Sequence, residues 1–135
     1  MQFKEEWDFL SNFFPCEVGL DELTFPSVEH AYQAAKTLDV AERVVILIQT
    51  TPGRAKRAGR LLTIRPDWES VKIGVMRSLL IQKFSKPVLW RKLVAIEGPI
   101  VEDNNWGDTF WGRCDGEGRN ELGKLLMEIR DGSVS

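Results

Sequence analysis

The sequence predicts an α+β fold, mostly helical with one small β-hairpin, in a single domain over residues 1–135. Three observations lead there. "DWESVKIGVMRSLLIQKF" sets Trp68, Val71, Val75, Met76, Leu79 and Leu80 on one apolar stripe at helical spacing. "CEVGLDELTF" alternates about a Gly-Leu-Asp-Glu turn, as a short hairpin does. No repeat, low-complexity tract or Ser/Gly linker divides the chain, and 135 residues suit one domain.

The other elements follow in order. After the hairpin, Pro26-Ser27 opens a helix over "SVEHAYQAAK", with Ser27 as N-cap and Glu29 near the positive end of the dipole. "DVAERVVILIQT" begins with Asp39 and Glu42 at capping-box spacing. "TPGRAKRAGR" offers Thr51 as cap, Pro52 in the first turn and Gly59 as a stop. Beyond the long helix, "PVLWRKLVAI" forms a short amphipathic one with Leu89, Trp90 and Leu93 facing inward. "PIVE", Pro99 to Glu102, reads as a short strand. "DNNWGDTFWGRCDGEG" is too rich in Asn, Asp and Gly for either regular element. "NELGKLLMEIR" closes the chain as a helix capped by Asn120 and ended by Asp131-Gly132.

Composition narrows the function class. The chain is 43% apolar and 28% charged with a net charge of -2, so no global basic surface points to nucleic acid. No apolar run is long enough to span a membrane. "MQFKEEWDFL" lacks a signal-peptide layout, which makes a cytoplasmic location the default. Cys16, Cys114 and the single His30 cannot complete a standard structural zinc site without carboxylates, so no metal and no cofactor are expected.

Three stretches stand out chemically. On a helix, Glu29, Tyr32, Gln33 and Lys36 share one face, while Val28, Ala31 and Ala35 form a small apolar one. The polar face reads equally as solvated surface or as the wall of a site; His30 points elsewhere, as a structural hydrogen-bonding group. The loop sets Glu102, Asn104, Trp106, Asp108 and Trp111 together before Gly112. Burying its two indoles would carry acids inward, where a carboxyl holds its proton more tightly; the plainer reading has the indoles plugging the core and Asp108 capping a turn. Asn12, between apolar residues in "FLSNFFPC", either orients a ligand or caps a turn. Arg54, Lys56, Arg57, Arg60 and Arg65 form a basic cluster that suits either a solvated face or a phosphate.

Taken together, "LSNFFPC", "SVEHAYQAAK", "RAKRAGR", "MRSLLIQKF", "IVEDNNWGDTFWG" and "NELGKLLMEIR" occur in an order that resembles the NADAR (NAD/ADP-ribose-associated) family over nearly the whole chain. The resemblance implies an N-glycosidase cleaving the bond between ribose C1 and nitrogen. One branch of the family acts on phosphorylated ribosylaminopyrimidines, intermediates of riboflavin biosynthesis. The other removes ADP-ribose from guanine in nucleic acid. A third possibility is a non-catalytic module that binds NAD or ADP-ribose. The family's functional positions fall on Glu29, Asp108 and Trp111, with Lys36 implicated in the ADP-ribosyl branch. Asn12, Tyr32, Gln33, Arg54, Arg60 and Asn104 are the expected substrate contacts, Arg54 or Arg60 on phosphate beside a helix N-terminus at Pro52-Gly53. The slightly acidic chain favours a small ribosyl phosphate over ADP-ribosylated nucleic acid as partner, and leaves oligomeric state open. Glu29 and Asp108 are expected to face a shared cavity, one for the sugar and water, the other for the leaving group.

Overall fold

The computed structural model describes residues 1–132. The expected single domain runs on to residue 135, past the described part. The chain forms two compact units: Asn12–Lys83, and residues 1–11 together with the chain from Phe84 onward. As predicted, helix dominates and a small antiparallel hairpin accompanies it. Among the described residues no helix is long and apolar enough to cross a membrane.

The central unit starts with the hairpin, β1 (Pro15–Leu20) and β2 (Leu23–Ser27). Val18 pairs with Phe25 and Leu20 with Leu23, and Val18 and Phe25 are buried. Asp21 makes the turn at φ 54, a conformation that a short acidic side chain tolerates. Gln82 doubles the strand edge from outside: its amide accepts from Gly19 N–H at 2.7 Å and donates to Gly19 C=O at 2.9 Å. β2 runs directly into α1 (Val28–Ala35). Ser27 caps it by accepting from His30 N–H at 3.1 Å, and the Asn12 carbonyl takes the Glu29 N–H at 3.0 Å. His30 is structural. Its Nε2 lies 2.9 Å from the Gln49 carbonyl, which can only accept, so Nε2 carries the proton and Nδ1 accepts from Ser27 Oγ at 2.7 Å.

Two further helices follow. Asp39 caps α2 (Val40–Leu47) through the N–H groups of Ala41 and Glu42. The reciprocal half of the expected capping box does not form. Glu42 turns instead to Thr37 Oγ at 2.5 Å and Thr63 Oγ at 3.1 Å, leaving the Asp39 N–H to Thr37 Oγ. Thr51 caps α3 (Pro52–Ala58) as predicted. Gly59 is the C-cap at which α3 ends, as expected; at φ -58 it stays right-handed and leads into a 3-10 turn, Gly59–Leu61. The long helix α4 (Trp68–Phe84) buries Trp68, Met76, Leu79 and Leu80 from its predicted stripe. Val71 and Val75 of that stripe are half-buried, lining an open groove of about 780 Å³ beside Leu20 and Gly74.

In the other unit, a 3-10 turn at Glu5–Leu10 buries Phe9 and Leu10. Helix α5 (Pro87–Val94) buries Leu89 and Leu93 as expected, but Trp90 is 38% exposed, on the flank rather than the core face. The expected strand at Pro99–Glu102 is absent, because a side chain does the work of a partner strand. Asn120 donates to the Ile100 carbonyl at 3.0 Å and accepts the Glu102 N–H at 3.0 Å. Pairing begins one residue later, where β3 (Asp103–Asn104) runs parallel to β4 (Arg113–Cys114). Asn120 is therefore not a side-chain cap for α6 (Glu121–Arg130), and it sits left-handed at φ 54. The carbonyls of Phe110 and Trp111 accept the N–H groups of Glu121 and Leu122 instead, at 3.0 and 2.9 Å. Leu122, Leu125, Leu126 and Ile129 are buried, and Gly132, at φ 72, follows the helix end as expected.

Candidate active site

Eight small or polar residues make up α1, and all eight are buried. The small face, Val28, Ala31 and Ala35, packs closely, as its side-chain sizes dictate. The polar face is buried too, so of the two sequence readings the solvated one is excluded for Glu29, Tyr32 and Gln33. Glu29 and Gln33 lie one turn apart, and Gln33 Nε2 donates to Glu29 Oε1 at 2.9 Å. Lys36 follows at the helix C-cap, half-buried, its Nζ 5.6 Å from the centre of the Tyr32 ring. Tyr32 in turn packs against Trp68, ring centres 5.2 Å apart.

Burial sets the proton chemistry of both ends of this face. It raises the Glu29 pKa above its ordinary 4.5; the Gln33 hydrogen bond opposes that rise most strongly, ahead of the influence of Lys56, Lys36 and His30. Burial also lowers the Lys36 pKa below its ordinary 10.5. Glu29 works against that shift, while Lys56, Lys72 and Arg60 reinforce it. A carboxyl inclined to hold a proton and an amine inclined to lose one thus share a helix face. Such displaced pairs are what acid–base and nucleophilic chemistry near neutral pH require.

The basic cluster divides on inspection. Lys56 is half-buried and is the largest charge acting on Glu29. Sequence reasoning passed it over; its spacing of four from Arg60 was the available signal. Arg60 is exposed yet acts on Lys36. Arg54 is exposed, and its own N–H is taken by Thr51 Oγ at 3.1 Å in the cap that opens α3. Arg65 pairs with Asp67 at 2.7 Å. Asn12 keeps its side-chain Oδ1 buried without a partner, while its Nδ2 lies 3.7 Å from Met76 Sδ.

The loop residues belong to the other unit. Asn104 organises it: Nδ2 donates to Glu102 Oε2 at 3.0 Å and to the Asp108 carbonyl at 2.9 Å, while Oδ1 accepts the N–H groups of Trp106 and Asp108. Its amide is fully engaged by the loop itself. Asp108 Oδ1 accepts from Phe110 N–H at 3.0 Å and Trp111 N–H at 2.9 Å, so it caps a turn as the plainer reading had it. Trp111 is half-buried and meets Phe110 edge to face, 4.8 Å between centres. Trp106 is 55% exposed, contrary to the expectation that the loop must bury both indoles. The acid that is buried is Glu102, which sequence reasoning noticed and assigned no role; it is 6% exposed and packs against Gly112, where a Cβ would stand 1.5 Å from its Oε2.

Fold and side-chain chemistry together define a small α+β protein with a buried carboxylate and a half-buried amine on one helix face. The NADAR domain profile matches residues 2–132, and the chain belongs to that family. It is 37% identical over 131 residues to the N-glycosidase YbiA of Escherichia coli (strain K12), covering 94% of this chain and 82% of that protein. The solution structure of E. coli YbiA superposes with a TM-score of 0.83 at 36% identity, covering 98% of this chain and 83% of that one. A riboflavin biosynthesis protein of Vibrio vulnificus is 36% identical over 131 residues, but the chain spans only 36% of its length. The chloroplastic riboflavin biosynthesis protein PYRR of Zea mays is 37% identical over 152 residues, and there the chain spans 24% of the length.

Proposed function

We propose that this NADAR domain is an N-glycosidase that hydrolyses the ribose C1–N bond of phosphorylated ribosylaminopyrimidine intermediates. The observation that carries this reading is a buried Glu29 on one helix face with the half-buried Lys36, the cations Lys56 and Arg60 acting on them. The activity named for the YbiA relatives and the pathway named for the Vibrio and maize proteins support it.

Cleavage of this bond builds positive charge on the ribose and negative charge on the departing nitrogen. In the direct route, water bonds to C1 as the C1–N bond breaks. Glu29 takes the water proton and steadies the cationic sugar, and Asp108 gives a proton to the leaving nitrogen. Trp111 stacks on the base or walls off water, worth about 1–3 kcal/mol by analogy with base–indole contacts in nucleic-acid binding. Lys56 and Arg60 meet the phosphate, where point charge and planar fork both serve. Asn12, with a buried oxygen lacking a partner, remains a candidate acceptor for a substrate hydroxyl.

Lys36 opens a second route through the same residues. Its neutral amine bonds to C1 as the bond to the base breaks, and the proton lost by the amine goes to the departing nitrogen. The ribose ring then opens at its C1–O4 bond, the remaining amine proton passing to O4, and water hydrolyses the imine so formed to free the sugar and restore the lysine. The lowered proton affinity of Lys36 favours this route, since only the neutral amine is nucleophilic.

A turnover panel tests the proposal: ribosylaminopyrimidine phosphate, NAD, ADP-ribose and guanine-ADP-ribosyl DNA, with products read by mass spectrometry. Release of the aminopyrimidine, with the other three left intact, is the expected result. Release of ADP-ribose from the DNA alone would move the chain to the other branch. Binding of NAD or ADP-ribose without any turnover would make it a non-catalytic module.

A further inference from the structure

We propose that Gly59 is a positioning residue: by leaving room for the Gln33 carboxamide, it aims that amide's NH₂ at Glu29 and so keeps Glu29 available as a carboxylate. The inference rests on Glu29 being the catalytic acid–base group proposed above.

Gly59 is not needed for its backbone. At φ -58 and ψ -22 it lies in the right-handed helical region open to every residue. Its missing side chain is what counts. A Cβ there would stand 2.0 Å from Gln33 Oε1 and 2.8 Å from Gln33 Cδ, and the nearest atoms around it all belong to Gln33. The glycine therefore provides space for one particular carboxamide.

That carboxamide is held against its own interest. Gln33 is 3% exposed, and its Oε1 is buried with no hydrogen-bond partner. A buried acceptor left unmade is unfavourable, so the orientation is dictated from the other end. There Nε2 donates to Glu29 Oε1 at 2.9 Å, whereas a flipped amide would turn an oxygen lone pair on a carboxylate. The titratable groups that act on Glu29 are Lys36 and His30 on its own helix and Lys56 on α3; the Gln33 bond outweighs each of them in favouring the ionised form. The two atoms that a methyl group at position 59 would overlap, Gln33 Oε1 and Cδ, are the far end of a flexible side chain. Gly59→Ala is thus absorbed by swinging the amide off Glu29 rather than by unfolding the helix.

The experiment is a ¹³C NMR titration of the Glu29 carboxyl in the full chain, wild type against Gly59→Ala, Gln33→Leu and the double variant. The expected result is an upward move of the Glu29 midpoint by about one to two pH units in each single variant, the size of a hydrogen bond to a charged group. The double variant matches Gln33→Leu alone, because Gly59 acts only through that amide; two separate structural effects would add. The acidic limb of the kcat profile moves by the same amount. A Glu29 midpoint unchanged in Gly59→Ala, or additive effects in the double variant, would overturn the proposal. Should Gly59→Ala fail to fold, Gln33→Leu decides: an unmoved midpoint overturns it equally. Because the titration reads Glu29 directly, absence of turnover in the wild type would count against the enzymatic reading and leave this result standing.

Discussion

Gln33 donates a 2.9 Å hydrogen bond to Glu29 one turn earlier on a helix whose eight residues are all buried. The two effects on Glu29 oppose each other: desolvation pushes its proton affinity up, and the amide pulls it back. Desolvation is the larger, so the carboxyl stays inclined to hold a proton above its ordinary 4.5. This balance is what the account of catalysis depends on, and it has a consequence for stability.

An acid whose folded pKa exceeds its unfolded value binds its proton more tightly in the folded state. Its contribution is intact below pH 4.5 and is lost as pH rises through the folded value. Glu29→Gln, which cannot ionise, removes that loss. Thermal melts should show the variant melting above wild type at pH 8, with the gap closing towards pH 4. A gap independent of pH would mean that Glu29 is not desolvated in the folded protein.

Lys36 should be trappable. Borohydride added during turnover of ribosylaminopyrimidine phosphate is expected to leave a ribosyl phosphate adduct on Lys36, located by peptide mass spectrometry. The adduct disappears in Lys36→Arg, and its yield in wild type rises with pH to a midpoint below 10.5, as burial and neighbouring cations dictate. Turnover without an adduct would remove the lysine route and leave the direct attack of water.

Asp108 has a structural task that must be separated from any chemical one. Its Oδ1 ties down the N–H groups of Phe110 and Trp111. Asp108→Asn keeps that oxygen and should melt within about 2 °C of wild type, while turnover falls by about 100-fold or more through loss of the acid. Asp108→Ala loses the turn as well and should melt several degrees lower. Full turnover in Asp108→Asn would reduce Asp108 to a capping residue.

Gly112 carries a prediction of pure packing. A Cβ there would sit 1.5 Å from Glu102 Oε2 and 2.4 Å from the Glu102 backbone oxygen. The side chain can move but the backbone oxygen cannot move far, so Gly112→Ala should destabilise by about 1–3 kcal/mol in urea unfolding. Unchanged stability would show that the segment around Glu102 yields more readily than its packing suggests.

Much of this was legible in the sequence, and the exceptions share a cause. Ser27, Asp39 and Thr51 were found as caps because capping is local: a side chain and an N–H two or three residues away. The α4 stripe was legible because helical period and burial coincide at Trp68, Met76, Leu79 and Leu80, with Val71 and Val75 half-buried between them. The stretch Pro99–Glu102 reads as a strand in the sequence but is none, because its hydrogen-bond partner is the side chain of Asn120, some twenty positions on. The same long-range bond took Asn120 away from its predicted cap. Glu42 left its capping box for Thr63, again at a distance no local pattern encodes. At the site, the face of α1 was visible from spacing, but its burial was not, since polar faces look alike whether wet or dry. Lys56 could not be singled out of five similar cations without knowing which of them approaches Glu29.

Glu29 is the group proposed to drive cleavage of the ribosyl bond. The direct measurement is single-turnover cleavage of ribosylaminopyrimidine phosphate by wild type and by Glu29→Gln of equal or greater thermal stability. Release of the aminopyrimidine by wild type, slowed by about 100- to 10,000-fold in the variant, is the predicted result. Equal rates in the two proteins would contradict it.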